Sequence, residues 1–229
     1  KDGTLWLGGS GGLDRFDVKN ERFTHHRGRE DGLPDPRVQT LLVDRQGTLW
    51  IGTWRGLARK AADGPIETLD VGLSDQLVTL LAETLDGRVI VGTAQGQLRA
   101  LSPDGQALPF SPGARPGATS GVWPVMAMAQ PDADELWFGD ASGLSRRRAT
   151  DGTLIERLPA SGGGTAPRSD VRALLRGHSG TVWAGSYGGG LMRHVPSLPG
   201  LSMVRDTIGP APAGLDVRSI LQLDNGEIW

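Results

Sequence analysis

A Trp-centred box recurs along the whole chain. It reads GTLWLGGSGGL from Gly3, GTLWIGTWRGL from Gly47, GRVIVGTAQGQL from Gly87, DELWFGDASGL from Asp134 and GTVWAGSYGGGL from Gly180, and a short copy, GEIW, runs to Trp229. Aligning Trp6, Trp50, Ile90, Trp137, Trp183 and Trp229 gives spacings of 44, 40, 47, 46 and 46 residues. A period of that size belongs to a repeat architecture, in which each repeat is one supersecondary unit that buries its apolar face only against its neighbours.

Each period carries a second signature upstream of the box. Val38 to Asp44, Val78 to Leu81, Val125 to Met128, Val171 to Leu175 and Val217 to Leu221 are short runs rich in β-branched and aliphatic residues, several of them preceded by Gly-Leu. They read as a first strand. Asp44-Arg45-Gln46-Gly47 then turns the chain into the Trp box as a second strand, and Gly52-Thr53-Trp54-Arg55-Gly56 or Gly92-Thr93-Ala94-Gln95-Gly96 reverses it into a third, beginning at Leu13, Leu57, Leu98, Leu144 or Leu191. The spacing places a fourth strand at Arg22 to His26, Ile66 to Leu69, Thr153 to Leu158 and Leu201 to Arg205. Four antiparallel strands in such a period make a β-propeller blade. The fold class expected is all-β, with residues 1–229 forming about five four-stranded blades of a propeller segment. The partial copy at Trp229 leads us to expect an incomplete part of a larger ring. The repeated Trp is expected to fill the gap between blades, and the Gly that follows to admit close approach of the next sheet.

Composition removes several function classes. The formal net charge of −2 provides no basic field for a phosphate backbone, so no nucleic-acid partner is expected. Arg146 to Arg148 read as a solvated strand surface. The longest apolar run, Val122 to Ala129, contains Pro124 and is far shorter than a membrane helix, so this segment is expected to make no membrane contact of its own. Cysteine is absent, which fits an oxidising compartment.

The combination Gly-Leu, then Val-x-x-(Leu/Ile)-Leu-x-Asp-x-x-Gly-x-(Leu/Ile)-Trp-(Ile/Leu)-Gly-Thr-x-x-Gly-Leu resembles the two-component regulator propeller repeat family, most closely from Gly32 to Arg59. Ile90 in place of Trp, Gln97, Asp140 and Ser186 in place of Thr, and the extra Gly190 depart from the pattern. The resemblance implies a periplasmic or extracytoplasmic sensor domain of a bacterial membrane-anchored signalling protein. Its relatives place paired propellers ahead of a β-sandwich linker, a membrane helix and an output such as a histidine kinase or a diguanylate cyclase.

In a propeller the loops before the first strand and the Gly-Thr-x-x-Gly reversals share one end of the disc. Trp54, Trp123 and Tyr187 fall there, outside the repeated core position, and are candidate stacking surfaces for a small-molecule or glycan ligand or a protein partner. Arg37, Arg55, Gln95 and Arg218 join them as candidate ligand-binding residues, with Arg37 and Arg55 suited to a carboxylate. A second copy of the chain is a further candidate partner. Catalytic, metal and cofactor sites are not expected. Gly8-Gly9-Ser10-Gly11-Gly12 satisfies a nucleophile-elbow pattern but aligns with a repeat turn, where an elbow needs a following helix. His25 and His26 are adjacent on a strand and face opposite ways, and Asp132, Asp134 and Glu135 lack the Gly and distal Glu of a calcium loop. The competing classes are a secreted propeller enzyme of lyase or dehydrogenase type and a docking scaffold.

Overall fold

The computed structural model describes residues 4–110, 123–159, 170–195, 202–203 and 216–229. Val122 of the apolar run and Leu201, Val204 and Arg205 of the expected fourth strand lie outside them. The chain divides into two compact units, residues 1–108 and 109–229, each built of sequence-ordered antiparallel meanders.

In the first unit, β1 (Thr4–Gly9), β2 (Gly12–Asp17) and β3 (Arg22–His26) form a three-stranded sheet. A complete blade follows, with β4 (Val38–Val43), β5 (Leu49–Thr53), β6 (Gly56–Lys60) and β7 (Ile66–Leu69), and then a second with β8 (Val78–Glu83), β9 (Val89–Thr93), β10 (Leu98–Leu101) and β11 (Ala107–Leu108). The second unit holds β12 (Val125–Ala129), β13 (Glu135–Asp140), β14 (Gly143–Arg148) and β15 (Leu154–Pro159), then β16 (Val171–Arg176), β17 (Val182–Ser186), β18 (Gly190–His194) and β19 (Ser202–Met203). The expected strand at Val217 to Leu221 makes no ladder. Its end meets the last box through reciprocal backbone hydrogen bonds between Leu221 and Trp229 at 2.7 Å, around the bridge Gln222 to Ile228.

The cores lie between successive sheets. Leu13, Val38, Ile51 and Ala58 pack where the first two sheets of the first unit meet, and Trp50, Leu57, Val78, Val91 and Leu101 where the next two meet. Trp137, Leu144, Val171, Val182 and Met192 do the same in the second unit. Trp50 and Trp137 are thus inter-blade core, as the repeat implies, whereas Trp6 and Trp183 are only half-buried.

The box glycine is explained by the next blade. A Cβ on Gly8 would stand 2.5 Å from Val38, one on Gly52 2.7 Å from Val78, and one on Gly139 2.6 Å from Val171; Gly185 meets Val217 in the same way. No positive φ is involved at these four positions. Gly8, Gly52 and Gly139 are sockets for the valine that opens the following first strand, and Gly185 is one for Val217.

Side-chain ties join blades at the opposite end from the reversals. The Arg45 guanidinium donates to the carbonyls of Thr84 and Leu85 and sits 2.7 Å from Glu83 Oε1, fastening the turn after β4 to the turn after β8.

The triple arginine run corrects our expectation of a solvated surface. Arg147 is buried, donating to the Gly152 carbonyl, while Arg146 lies over Trp137 between Glu135 and Glu156, leaving only Arg148 exposed. Strand alternation turns Arg147 to the opposite face from its two neighbours.

Candidate functional site

The reversal end of each blade is built on one recurring device. The first strands β4, β8, β12 and β16 each carry a bulge one residue in, at Gln39, Thr79, Met126 and Arg172. A bulge bends the strand and re-aims its side chains. Just before it, a loop carbonyl accepts a hydrogen bond from the residue after the box Thr or Ser: Arg37 from Trp54 N–H at 3.0 Å, Leu77 from Ala94 at 2.9 Å, Asp170 from Tyr187 at 2.9 Å. Trp54, Ala94 and Tyr187 therefore occupy equivalent places, and two of the three are aromatic.

Both aromatics are exposed, Trp54 at 45% and Tyr187 at 44%, and each lies against a guanidinium. Arg37 sits over the Trp54 ring at 4.6 Å, and Arg172 over Tyr187 at 4.7 Å. Such cation–π contacts at exposed sites contribute about 0.5–1 kcal/mol. Each guanidinium is also held by an acid two residues before it. Asp35 accepts from Arg37 Nε at 2.8 Å and Nη2 at 2.7 Å, and Asp170 accepts from Arg172 Nη2 at 3.1 Å. The pairs are pre-set ring-and-cation surfaces. Because Asp35 already takes one edge of Arg37, only the remaining edge is available to a ligand carboxylate.

Arg55, next along the reversal, turns to Asp75, whose carboxylate it approaches through Nε at 2.7 Å and through Nη2. Gln95 is exposed on the following reversal. In the second unit Trp123 is 41% exposed ahead of β12, and Arg218 is exposed beside Asp216, whose carboxylate accepts from Gly188 N–H at 2.8 Å. The first unit thus brings Arg37 and Trp54 together with Arg55 beside them, while Trp123, Tyr187 and Arg218 stand on successive blades of the second. Sequence reading missed Asp35, Asp75, Arg29 and Arg172. The two-residue spacing in Asp35-Pro36-Arg37 and Asp170-Val171-Arg172 was a visible signal for part of this.

The discounted motifs have assigned roles. Ser10 and Gly11 form the two-residue turn between β1 and β2, so that motif runs from strand to strand. Asp132 Oδ1 accepts the Asp134 and Glu135 backbone N–H groups, and Glu135 takes the Trp137 indole and Arg146. His26 lies 6.2 Å from the Trp6 ring and His194 4.9 Å from Trp137, while His25 Nδ1 lies 2.8 Å from Asp14. Among the described residues no cluster of three metal-ligating side chains forms, and no helix is long and apolar enough to cross a membrane.

The Asp35 carboxyl is held below the ordinary aspartate range, chiefly by the hydrogen bonds from the Arg37 side chain, which outweigh the burial that would raise it. A depressed folded-state value stabilises the fold above the unfolded pKa of about 3.9 and ceases to do so as pH falls through the lower folded value. Asp35→Asn is therefore expected to lower Tm at neutral pH by an amount that shrinks on acidification towards pH ~2. A Tm difference that stays constant across a melting series down to that pH would show that the carboxylate charge contributes nothing.

The model of the two component regulator propeller family matches residues 32–55, the stretch that carries Asp35, Arg37, Trp54 and Arg55. Residues 32–55 are a two component regulator propeller repeat. In three dimensions the chain resembles the extracellular domain of the hybrid two component system BT3049 from B. thetaiotaomicron, with a TM-score of 0.72 at 18% identity over 100% of this chain and 30% of that one. The corresponding domain of BT4673 from the same organism aligns with a TM-score of 0.71 at 18% identity over 99% and 30%. Virginiamycin B lyase from Staphylococcus aureus gives 0.72 at 15% identity over 100% and 74%. These likenesses establish the β-propeller fold. The chain spans 30% of the length of the two extracellular domains. No curated protein matches it significantly in sequence.

Proposed function

We propose that this regulator-propeller segment is the ligand-sensing or interaction domain of a bacterial membrane-bound signalling protein, placed outside the cytoplasm and itself without catalytic activity. The observation that carries the reading is the repeated exposed pair of aromatic ring and guanidinium, Trp54 with Arg37 and Tyr187 with Arg172, presented at the reversal ends of their blades. A rigid ring with a fixed cation beside it suits a sugar ring or a partner's polar surface, since the ring offers apolar area at low entropic cost and the cation offers donors. The propeller repeat and the likeness to extracellular domains of hybrid two component systems support the assignment to sensing. The output is proposed to be a kinase or a cyclase, biased by a ligand that binds its two signalling states unequally.

Titration of the purified chain with a panel of neutral and acidic oligosaccharides, followed by calorimetry, tests the reading. One panel member is expected to bind, and Trp54→Ala or Tyr187→Ala to weaken it about tenfold or more, as loss of an aromatic anchor does, with little change in Tm. Binding that ignores both substitutions would remove these rings from the site. Turnover of a panel member would replace the reading with an enzyme.

A further inference from the structure

Beside Trp54 the first unit holds an open pocket of about 340 Å³. Its apolar wall is Leu57, Leu69 and Pro34, and its charged rim is Arg29, Arg55 and Asp75. The rim carries two guanidinium groups against one carboxylate. The Arg29 guanidinium has no hydrogen-bond or ion-pair partner among the described residues, and Arg55 pairs with Asp75, whose side chain is 68% exposed. Exposed ion pairs of this kind are weak and exchange readily. Asp75 also adopts a left-handed backbone, φ 63°, which Asp and Asn tolerate better than most side chains and which aims its carboxylate at Arg55.

We propose that the pocket binds a small organic monocarboxylate with an apolar body, and that Asp75 is an internal stand-in for the ligand's carboxylate. On binding, the ligand carboxylate replaces Asp75 on the Arg55 fork and recruits the unpaired Arg29, and the apolar body lies on Leu57, Leu69 and Pro34. A planar fork matched to a carboxylate supplies orientation as well as charge, and the volume lies at the small end of ligand-pocket sizes. The inference deepens, and rests on, the reading of this blade end as the ligand-binding one.

Phenylacetate is the probe, titrated calorimetrically into the full 229-residue chain with the neutral isostere phenylacetamide alongside. Phenylacetate is expected to bind, and the amide about tenfold more weakly or not at all, because a site built around charged partners penalises their loss. Asp75→Asn keeps the left-handed backbone while removing the competing charge, and is expected to tighten phenylacetate by about two- to fivefold, the range set by an exposed ion pair. Asp70→Asn removes the same charge from the same loop outside the pocket and should leave the affinity unchanged. Arg55→Ala should weaken binding about tenfold with Tm unaltered. Equal binding of acid and amide, no gain in Asp75→Asn, an equal gain in Asp70→Asn, or no binding at all would each overturn the proposal. Oligosaccharide binding that still depends on Trp54 in that case leaves the sensing reading intact and removes only this pocket from it.

Discussion

Asp44→Ala is expected to destabilise the first unit by about 3 kcal/mol, because one buried carboxylate satisfies three donors, one of them a fully buried indole. Asp44 Oδ1 accepts the backbone N–H groups of Gln46 at 3.0 Å and Thr48 at 2.9 Å, and Oδ2 accepts the Trp50 indole N–H at 2.8 Å. Trp50 is 0% exposed, so its indole has no water to turn to when the carboxylate is removed. A buried donor left without a partner costs about 1–3 kcal/mol, and loss of the turn hydrogen bonds adds to this. For a chain of this size the corresponding fall in Tm is about 6–12 °C. Trp50→Phe provides the control, since it removes the indole donor. In that background Asp44→Ala should cost markedly less. Additive costs would mean that the indole bond carries no energy and that the aspartate serves the turn alone.

The other blades bear on the same argument. Where Ile90 replaces Trp, Thr84 stands in the place of Asp44, its hydroxyl donating to Asp86 Oδ1 at 2.5 Å with the Arg88 carbonyl also within reach at 3.0 Å. The acid is absent where the indole is absent. Trp137 keeps its indole but takes Glu135, two residues before it, at 3.1 Å. Beside Trp183 the aspartate position is Gly177, and the Gln222 amide oxygen from the next stretch occupies the vicinity, accepting from His178 N–H at 2.8 Å. A Cβ on Gly177 would lie 3.2 Å from the Trp183 indole nitrogen and 3.3 Å from that oxygen. Thr84→Ala should accordingly be much milder than Asp44→Ala.

Periodicity made the blades legible because the boxes repeat one close contact, Gly8, Gly52, Gly139 and Gly185 each against a following Val, and a repeated contact outweighs the irregularity of any one copy. The strands β3 and β7 fall where the spacing places them. What alternation could not show was register beyond the regular ladder. The bulges at Gln39, Thr79, Met126 and Arg172 leave no compositional mark, yet they set where the candidate site's side chains point. The same limit applies to Arg146–Arg148, where like residues carry no pattern of their own and only pairing decides which one is buried. At the candidate site, Arg37, Trp54 and Arg55 could be placed at one end of a blade from the strand order. Their acidic partners could not. Asp75 lies twenty residues from Arg55 and joins it only because two successive blades bring their loops to the same end.

Gly52→Ala is expected to cost about 1–3 kcal/mol, the range for overpacking a filled core. The new methyl would stand 2.6 Å from Thr40 Cγ2 and 2.7 Å from Val78 Cγ1, distances that neither side chain can accept without movement. Val78 is fully buried at the start of β8, so the strain would be carried into the packing between this blade and the next. Val78→Ala alone should cost about 1.5 kcal/mol for the apolar surface lost. The pair should not add. Removing the valine methyls empties the space that the alanine methyl needs on that side, so the double variant should be more stable than the sum of the single costs by about 0.5–2 kcal/mol, measured by urea unfolding. Thr40 remains in place and keeps the relief partial. Full additivity would mean that the glycine is required by its own backbone and not by the valine. Because Gly8, Gly139 and Gly185 face Val38, Val171 and Val217 in the same way, coupling at Gly52 would identify the Gly–Val socket as the element that sets the distance between successive blades within each unit.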